Sequence, residues 1–367
     1  MERAINPNVQ RQTDRRQVYR YLYDNPRPVE AQEIAYALSL ELPVVEESLS
    51  SLLEEGMISH GPDLAYILEP KGRIAVGISI WDDGLRLMAI GMRGEELACW
   101  ELEKAFSHTQ EYYQALAREL EAFLDDSGLE RSRLLGVGIT LAGIIDQAAG
   151  KLIMATALEL WDLPLEEIYR HFSRYPAYIE NVAGASAYAE YWADPARNNM
   201  IYLSLDRRVG GSLLLEGRQY LGDHGRSGEF GHMRIVPNGR PCSCGRRGCL
   251  EAYCSTSRLS DDLGLTLDQF FEALQAGDEQ AAELWAEYQG HLTGALASLR
   301  MCFDCDIVLG GALSRYLEGF LPDMCWELGE NTFSENDVSF LQLGRYGPNA
   351  ACIGTAMRFI DDFLLTY

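Results

Sequence analysis

The chain has little positive charge, because 31 lysine and arginine residues stand against 55 aspartate and glutamate residues and the net charge at pH 7 is −24. Such an excess of carboxylates repels the phosphate backbone of nucleic acids over the molecule as a whole. The composition therefore excludes general nucleic-acid binding, and any contact with DNA has to come from a local patch of basic residues.

Long apolar runs are also absent, since no stretch approaches the length that crosses a bilayer. Met1 is followed by Glu-Arg-Ala-Ile-Asn-Pro-Asn, which lacks the apolar core of a signal peptide. These two absences predict a cytoplasmic protein. Its 9 cysteines are then expected to be reduced, because disulfide bonds form mainly in oxidising compartments.

The amino-terminal part carries a helical pattern followed by a short alternating one. Helices are predicted from about Thr13 to Tyr23, from Ala31 to Leu38 and from Pro43 to Glu55. Residues 57–68 alternate weakly around a His-Gly-Pro turn, as a two-stranded wing does. The pattern predicts a winged helix-turn-helix, with a generic helical bundle or an oligomerisation cap as the alternative.

One glycine-rich stretch contains three cysteines and a histidine: His232, Cys242, Cys244 and Cys249. Thiolate and imidazole are the ligands of closed tetrahedral zinc sites, and glycines permit the tight turns that such loops need. The sequence therefore predicts a structural zinc centre. The alternative is a loop of free thiols or, in a secreted protein, a disulfide bond.

Glu229 and Glu251 lie on either side of the cysteines in the sequence. A carboxylate accepts several hydrogen bonds, so two of them on a metal-stiffened loop suit the hydroxyl groups of a polyol or sugar. The alternative is structural, because both residues could instead cap helices or pair with Arg226, Arg246 or Arg247.

The run Glu229-Phe230-Gly231-His232 together with the cysteine loop closely resembles the signature of the ROK family, which contains repressors, uncharacterised open reading frames and sugar kinases. The resemblance extends over nearly the whole chain. It includes the segment Trp161-Asp162-Leu163-Pro164-Leu165, the strand pair that starts at Tyr202, and the turn at Gly310-Gly311.

The resemblance implies an α/β fold in which a winged helix-turn-helix at residues 1–72 precedes an actin-like (ribonuclease H-like) two-lobed body at 73–367. Lobe 1 is expected at about 73–190 together with a C-terminal helix at 350–367, and lobe 2, with the zinc loop, at about 191–349. A ligand cleft between the lobes and a homodimer or homotetramer are also implied. The alternation in the sequence agrees with strands at 74–80, 85–91, 97–101, 135–140 and 200–205, and with helices at 109–124, from 182, at 279–301 and at 350–363.

Kinase activity depends on motifs that this chain does not keep. The base of the family's kinases is the aspartate of a Glu-Asn-Asp motif, and Val182 stands in its place here; valine cannot accept a proton. Trp81 occupies the first phosphate turn, and Arg207 and Arg208 replace small residues of the second. The resemblance therefore implies a protein without kinase activity.

Four residues match positions that hold sugar hydroxyls in the family: Asn181, Glu229, His232 and Glu251. His232 would serve the metal through one ring nitrogen and the ligand side through the other. Ala142 replaces a proline and Ala157 an asparagine of the family's pattern. These departures indicate a ligand that differs from the family's usual hexoses or has been lost.

For DNA, the predicted phosphate contacts are Arg11, Arg15 and Arg16, with a solvated helix face as the alternative. The recognition helix carries Glu46 and Glu47, where the family typically has a hydroxyl residue and a basic one. Phosphate repels carboxylates, although a carboxylate can accept a hydrogen bond from cytosine N4. With eight basic and twelve acidic residues in positions 1–73, the module itself is negative.

Three functions fit these features. The first is a ROK-family transcriptional regulator, a sugar-responsive repressor that binds DNA through its N-terminal module and a sugar or sugar derivative in the cleft. The second is a sugar-sensing or partner-binding scaffold that no longer binds DNA, which the acidic module favours. The third is a sugar kinase.

Overall fold

The computed structural model describes residues 7–332 and 337–367, and its first elements are three helices and a β-hairpin: α1 (Pro7–Asp24), α2 (Ala31–Leu38), α3 (Leu42–Glu54), β1 (Ile58–His60) and β2 (Tyr66–Leu68). α1 starts earlier than predicted, because residues 7–12 show no apolar period, whereas proline suits the first position of a helix. β1 and β2 pair antiparallel, with Ile58 opposite Leu68. This order agrees with the predicted helix-turn-helix and wing.

A five-stranded sheet and its helices follow. In chain order the elements are β3 (Ile74–Ile80), β4 (Gly84–Ile90), β5 (Glu96–Glu103), α4 (Gln110–Asp126), β6 (Leu134–Leu141), β7 (Ile144–Asp146), β8 (Lys151–Ala155), β9 (Leu160–Pro164), α5 (Glu166–Tyr169), β10 (Ala177–Asn181) and α6 (Val182–Ala193). The main sheet has the order β10-β6-β3-β4-β5, in which β10, β6 and β3 are parallel. β7, β8 and β9 form a separate antiparallel sheet.

The second half of the body contains another five-stranded sheet. Its elements are β11 (Met200–Leu205), β12 (Val209–Leu215), β13 (Arg218–Gln219), α7 (Glu251–Cys254), α8 (Thr256–Ser260), α9 (Leu267–Gln275), α10 (Glu279–Phe303), β14 (Asp306–Gly310), α11 (Leu321–Asn331), β15 (Leu341–Leu343) and α12 (Ala350–Thr366). The sheet order is β13-β12-β11-β14-β15, and β11, β14 and β15 are parallel. Two mixed sheets with helices confirm the predicted α/β, actin-like fold class.

α12 returns from the second sheet to the first. It packs against β3, where a Cβ atom on Gly77 would lie 2.0 Å from the carbonyl oxygen of Cys352. It also crosses α6 closely, since a Cβ atom on Gly354 would lie 1.7 Å from the carbonyl oxygen of Ala185. Only glycine permits such contacts, so α6 and α12 are held together as one unit beside the first sheet.

The N-terminal module shares a hydrophobic core with α12. Val18 and Leu22 of α1 belong to the same buried cluster as Met357 and Ile360 of α12. Separate cores fill the first lobe, between its sheet and α4, and the second lobe, around α10. The module is therefore packed on the body. Within the ranges described above, none of the helices is both long and apolar enough to span a membrane.

Candidate functional site

The four predicted metal ligands come together, with one ligand atom of each within 4.8 Å of all the others. Cys242 Sγ lies 3.7 Å from His232 Nδ1, and Cys244 Sγ lies 3.8 Å from Cys249 Sγ. Two sulfur atoms bound at about 2.3 Å to one tetrahedral ion are separated by about 3.8 Å. The donor set and its spacing therefore fit a four-coordinate metal ion. The three cysteines form no disulfide bond, so their thiols remain available to an ion.

Backbone turns bring the cysteines into this arrangement. The N–H of Cys242 donates to the carbonyl oxygen of Arg246 at 2.8 Å, and the N–H of Gly245 donates to the carbonyl oxygen of Cys242 at 3.0 Å. Gly248 has φ +82°, and a Cβ atom there would lie 1.7 Å from the carbonyl oxygen of Val236. Glycine is therefore required at this point of the loop.

The imidazole of His232 joins the metal cluster to Glu229. Nδ1 faces the cysteines, whereas Nε2 lies 3.9 Å from Oε2 of Glu229. A carboxylate on that side is common behind metal-bound histidines, where it fixes the ring orientation. Burial raises the pKa of Glu229, an effect that His232 opposes and Glu251 reinforces. Since 42% of the Glu229 side chain remains exposed, its carboxylate can also meet a ligand.

Glu251 is a structural link from the metal loop to β12. The residue is only 7% exposed and begins α7. Its Oε1 accepts the hydroxyl of Ser243 at 2.5 Å, and its Oε2 accepts the N–H of Val209 at 3.3 Å. The structural alternative was helix capping or pairing with Arg226, Arg246 or Arg247. Glu229 precedes the short 3-10 helix Phe230–His232 without a capping hydrogen bond from its side chain. Among the described residues, neither glutamate forms an ion pair with any of these arginines.

Asn181 lies where β10 passes into α6. Its side-chain oxygen caps the helix by accepting the N–H groups of Ala183 at 2.8 Å and Gly184 at 3.2 Å. Its Nδ2 donates to the carbonyl oxygen of Gly143 at 2.6 Å. One amide hydrogen has no acceptor within residues 7–332 and 337–367. Val182 follows as the first helical residue, so the position of the missing aspartate is directly beside Asn181.

The two lobes meet at the start of α6. A Cβ atom on Gly210 of β12 would lie 3.3 Å from Cβ of Ala183, and one on Gly225 would lie 3.7 Å from Cγ2 of Ile144. Val209, which Glu251 holds, immediately precedes Gly210. The metal loop, β12 and the N-terminus of α6 are therefore connected by direct contacts.

The first phosphate turn is a closed hairpin. The N–H of Trp81 donates to the carbonyl oxygen of Gly84 at 3.0 Å. The indole ring lies directly against that glycine, because a Cβ atom on Gly84 would be 2.7 Å from Nε1 of Trp81. A phosphate group would have to displace the ring to reach the backbone of the turn.

The second phosphate turn is bridged to the Gly310-Gly311 turn by Asp206, a residue whose role the sequence did not reveal. Oδ1 of Asp206 accepts the N–H of Ala312 at 2.7 Å, and Oδ2 accepts the hydroxyl of Ser204 at 2.6 Å. The signal in the sequence was an acidic residue in place of the first glycine of a phosphate turn. The backbone N–H of Ala312, directly after Gly311, is therefore hydrogen-bonded to the Asp206 carboxylate and is not available to a phosphate.

The predicted DNA-binding arginines are largely engaged by other parts of the protein. Arg15 donates to Glu55 at 2.7 Å and to the hydroxyl of Tyr367, and its guanidinium lies 4.8 Å from the Tyr367 ring centroid. Arg16 donates to the carbonyl oxygen of Thr366 at 2.6 Å. The structure thus holds both arginines against the end of α12.

The exposed face of the helix-turn-helix is acidic and partly apolar. Glu46 and Glu47 are exposed on α3, and Glu47 lies 3.6 Å from the well-exposed Arg11. Residues 58–68 of the wing contain no lysine or arginine. Tyr36 on α2 is 90% exposed and Leu64 in the wing is 75% exposed. The sequence hinted at Tyr36, since it falls between the apolar positions of α2.

Comparison with known proteins identifies the relatives of this chain. A sequence model of the ROK family matches residues 75–361. The xylose repressor of Bacillus subtilis (strain 168) is 25% identical over 357 residues, which cover 92% of this chain and 92% of the repressor. The glucokinase of Halalkalibacterium halodurans is 26% identical over 268 residues, or 65% of this chain and 80% of the kinase.

Among solved structures, the fold is similar to that of a ROK family transcriptional regulator, a homologue of the E. coli MLC protein. The TM-score is 0.73 at 20% sequence identity, over 97% of this chain and 98% of the regulator. The repressor and the regulator thus match this chain over nearly its whole length, whereas the glucokinase matches about two-thirds of it.

Proposed function

This chain belongs to the ROK family, and we propose that it is a sugar-responsive transcriptional repressor without kinase activity. Its N-terminal module binds an operator, and its cleft binds a sugar or sugar derivative. The observation that carries the proposal is the length of the likeness to the xylose repressor, which includes 92% of this chain and so extends into the helix-turn-helix module. Residues 1–72 form that module, and residues 73–367 form the sugar-binding body.

The metal site is proposed to hold zinc through His232, Cys242, Cys244 and Cys249. The ligand types and the spacing of about one tetrahedral edge support zinc over oxygen-preferring ions. Bound zinc supplies a rigid cross-link of the loop rather than a reactive centre. Glu229 and Glu251 then keep fixed positions, because both are attached to the cross-linked segment.

In the cleft, Asn181, Glu229, His232 and Glu251 form the proposed sugar site. Glu229 offers a partly exposed carboxylate that accepts hydroxyl groups, and Asn181 offers one N–H donor. Nε2 of His232 lies beside Glu229, and Glu251 holds the loop against Val209. Such convergent polar groups in a cleft are typical of small-ligand sites.

The absence of kinase activity is proposed from three residues. Val182 cannot take a proton from a sugar hydroxyl. The ring of Trp81 fills the first phosphate turn, and the carboxylate of Asp206 occupies the N–H of Ala312. A nucleotide would therefore meet neither a free amide cradle nor a base.

DNA binding is proposed to involve phosphate contacts from Arg11, Arg15 and Arg16 and base contacts from Glu46 and Glu47. Arg15 and Arg16 must first leave their partners at the end of α12. α12 is packed on α6, and α6 starts at the proposed ligand site. Closure of the lobes around a ligand would therefore move α12 and change its contacts with these arginines. A homodimer or homotetramer would present two such modules to paired half-sites.

The proposal is tested by fluorescence anisotropy with the zinc-loaded protein, its own upstream DNA and a scrambled duplex, at low and near-physiological salt. Specific binding that survives the higher salt, and that a sugar weakens or strengthens, is the expected result. Equal binding to both duplexes, or none to either, contradicts it.

A second candidate, a scaffold that binds a partner but not DNA, is favoured by the acidic and apolar face around Glu46, Glu47 and Tyr36. The double variant Glu46→Ser/Glu47→Arg separates the two candidates. It creates DNA affinity if the carboxylates only repel phosphate, and it weakens specific binding if they read bases.

A further inference from the structure

The C-terminal end of α1 leaves backbone carbonyl groups available to donors from other parts of the protein. In a longer helix the carbonyl oxygen of Leu22 would accept the N–H of residue 26, but Pro26 has no N–H. The last turn of α1 also contains no basic residue that could balance the partial negative charge of this helix end. A cation from outside the N-terminal module can therefore bind here.

Arg93, in the turn between β4 and β5 of the first lobe, donates to these carbonyl groups. Its Nη2 lies 2.7 Å from the carbonyl oxygen of Leu22, 2.8 Å from that of Tyr23 and 2.9 Å from that of Asn25, and its Nε lies 3.0 Å from that of Tyr23. The side chain is partly buried, and among the described residues it forms no ion pair. Charge-assisted hydrogen bonds of this kind are stronger than neutral ones, so Arg93 holds the end of α1 against the first lobe.

The turn that carries Arg93 is itself fixed. The N–H of Arg93 donates to Oε2 of Glu95 at 2.7 Å. Gly94 has φ +74°, and a Cβ atom there would lie 3.1 Å from the ring of Trp192 in α6 and 3.4 Å from Sδ of Met357 in α12. Glycine thus allows the turn to pack closely on both helices. The guanidinium that meets α1 is therefore presented from a well-packed part of the body.

A second arginine of the first lobe holds the end of α3. Arg133 directly precedes β6, and its Nη1 donates to the carbonyl oxygen of Gly56 at 3.2 Å and to that of Lys71 at 3.0 Å. Gly56 follows α3 with φ +64°, and a Cβ atom on it would lie 2.9 Å from Nη2 of Arg133. A larger residue at this position would have to displace the guanidinium. The two arginines therefore hold two helix ends of the module.

The segment that connects the module to the body, residues 69–73, has the sequence Glu-Pro-Lys-Gly-Arg, a composition typical of turns and loops. In the structure the backbone of this connecting segment is held by the first lobe. The N–H of Met92 donates to the carbonyl oxygen of Pro70 at 3.2 Å, and Arg133 donates to that of Lys71 at 3.0 Å. The connecting segment is therefore not a free tether between the module and the body.

We propose that Arg93 and Arg133 are positioning residues that fix the orientation of the N-terminal module on the first lobe, and that they thereby set which spacing of operator half-sites a dimer can bind. The inference rests on the proposed function, in which paired modules bind DNA. Neither arginine has to touch DNA, because each acts through backbone carbonyl groups of the module. A module on a free tether would adapt to many spacings, whereas a fixed pair matches DNA only where both half-sites face it.

These contacts are separate from those at the end of α12. Arg93 and Arg133 join the module to the first lobe, whereas Arg15 and Arg16 contact the last two residues of the chain. Movement at the end of α12 can therefore free Arg15 and Arg16 for DNA while the module keeps its place on the first lobe.

The first test is limited digestion of the full-length, zinc-loaded protein with trypsin, which can cut the connecting segment after Lys71. Cleavage requires this segment to leave its place, so the rate of cleavage reports how often the module opens. In Arg93→Ala/Arg133→Ala the cut should be roughly 10-fold faster than in the unaltered protein. Arg93→Lys/Arg133→Lys should lie between the two, because lysine keeps the charge without the planar fork.

Arg131→Ala is the matched control. Arg131 lies in the same turn as Arg133 and is similarly exposed, at 30% against 27% of the side chain. Its guanidinium, however, is bound by Glu121 and Asp125 of α4, at 2.8 Å and 2.6 Å. Its removal should leave cleavage after Lys71 unchanged, because these partners belong to the first lobe itself. Circular dichroism and zinc content verify that each variant is folded.

The second test varies the distance between the half-sites of the upstream DNA after footprinting has located them. Binding by the unaltered protein should weaken about 10-fold when about 5 base pairs, half a helical turn, are inserted, and it should recover in part with about 10. The double alanine variant should bind these duplexes within about threefold of one another and should keep its affinity for a single half-site. A merely structural defect would instead lower the affinity for every duplex alike.

Two results would overturn the inference: a cut after Lys71 that is as slow in the double alanine variant as in the unaltered protein, or a spacing preference that this variant keeps in full. An equal acceleration in Arg131→Ala would show a general loosening of the first lobe instead of a positioning role. If the unaltered protein binds no duplex, the proposed function fails and the spacing claim fails with it, whereas the digestion still decides whether the two arginines hold the module in place.

Discussion

At the scale of single residues, Cys249 is buried at the end of the metal loop, and its Sγ lies 3.8 Å from Sγ of Cys244. Replacing it by serine should lower bound zinc from about one ion per chain to well below half, because a neutral hydroxyl does not replace a thiolate ligand. The melting temperature should fall by several degrees, since metal binding contributes to folding. Metal analysis and thermal melting measure both effects.

Cys302→Ser provides the control for that substitution, because Cys302 is exposed and lies outside the metal cluster. It should keep the zinc content and the melting temperature of the unaltered protein. Retention of a full zinc complement by Cys249→Ser would contradict the tetrahedral site.

A second prediction concerns Val182. Val182→Asp restores the residue that serves as the base in the family's kinases, yet it should give no sugar-dependent ATP turnover. Trp81 still fills the first phosphate turn, and Asp206 still occupies the N–H of Ala312. A coupled assay for ADP release, with a ROK glucokinase as the positive control, measures the result. Turnover by the variant would show that the turns open for nucleotide.

The four clustered cysteine and histidine residues were predictable, because residue type and close spacing in the sequence are enough to suggest metal ligands, as in Cys242, Cys244 and Cys249. The role of Asp206 was not. Its carboxylate accepts the N–H of Ala312, a residue 106 positions away. Such partnerships depend on which turns the fold brings together, and a linear pattern does not contain them.

At the scale of elements, α12 joins the body to the N-terminal module. Tyr367 follows α12, stacks on Phe363 with ring centroids 4.5 Å apart, and meets the ring of Tyr19 at 5.1 Å. Tyr367→Ala should therefore loosen α1, because it removes both ring contacts and the hydroxyl that Arg15 contacts. Hydrogen exchange of α1 should become faster, and affinity for DNA at low salt should rise as Arg15 is released.

Leu365→Ala is the matched control for that variant, since Leu365 belongs to the same last turn and is 76% exposed. It should change neither exchange nor DNA affinity. If the two variants behave alike, the end of α12 does not restrain the arginines of α1.

The contact between α12 and α6 is expected to be sensitive to pH through Asp361 of α12. Tyr188 of α6 donates a hydrogen bond to Asp361. Burial raises the Asp361 pKa from 3.8 to about 6, with Asp362 reinforcing and Arg20 opposing the shift. A carboxyl group with a raised folded-state pKa contributes stability that is complete below its unfolded pKa and is lost as the pH rises through the folded value.

Asp361→Asn tests that expectation by thermal melting between pH 4 and pH 7.5. The asparagine side chain at position 361 is uncharged at every pH. The melting temperature of the variant, relative to that of the unaltered protein, should therefore increase from low to high pH, mainly between about 4 and 6. A constant difference across this range would mean that Asp361 titrates normally.

Most elements of the body could be predicted, because their local patterns are strong. The strand Met200–Leu205 has the predicted bounds, and α10 begins at the predicted Glu279. The packing of α1 on α12 could not be predicted, since it pairs the two ends of the chain. The apolar period of α1 shows that Val18 and Leu22 are buried, but it does not show which partner covers them.

At the scale of the whole molecule, a net charge of −24 limits how DNA can be bound. The logarithm of the binding constant falls with the logarithm of salt concentration by about 0.9 for each phosphate neutralised. A dimer that uses Arg11, Arg15 and Arg16 of both modules should therefore show a slope of about −5. If the end of α12 keeps Arg15 and Arg16, only Arg11 remains and the slope should be about −2.

Arg16→Ala separates these two states of the molecule. In the state that binds the operator, the variant should lower the magnitude of the slope by about 2, because each of the two modules loses one phosphate contact. Arg118→Ala serves as the control, since Arg118 is exposed on α4 of the first lobe and should not alter the slope. Anisotropy titrations over a series of salt concentrations measure both. An unchanged slope in Arg16→Ala would show that Arg16 remains bound to Thr366 when the protein is on DNA, and that α12 does not release it.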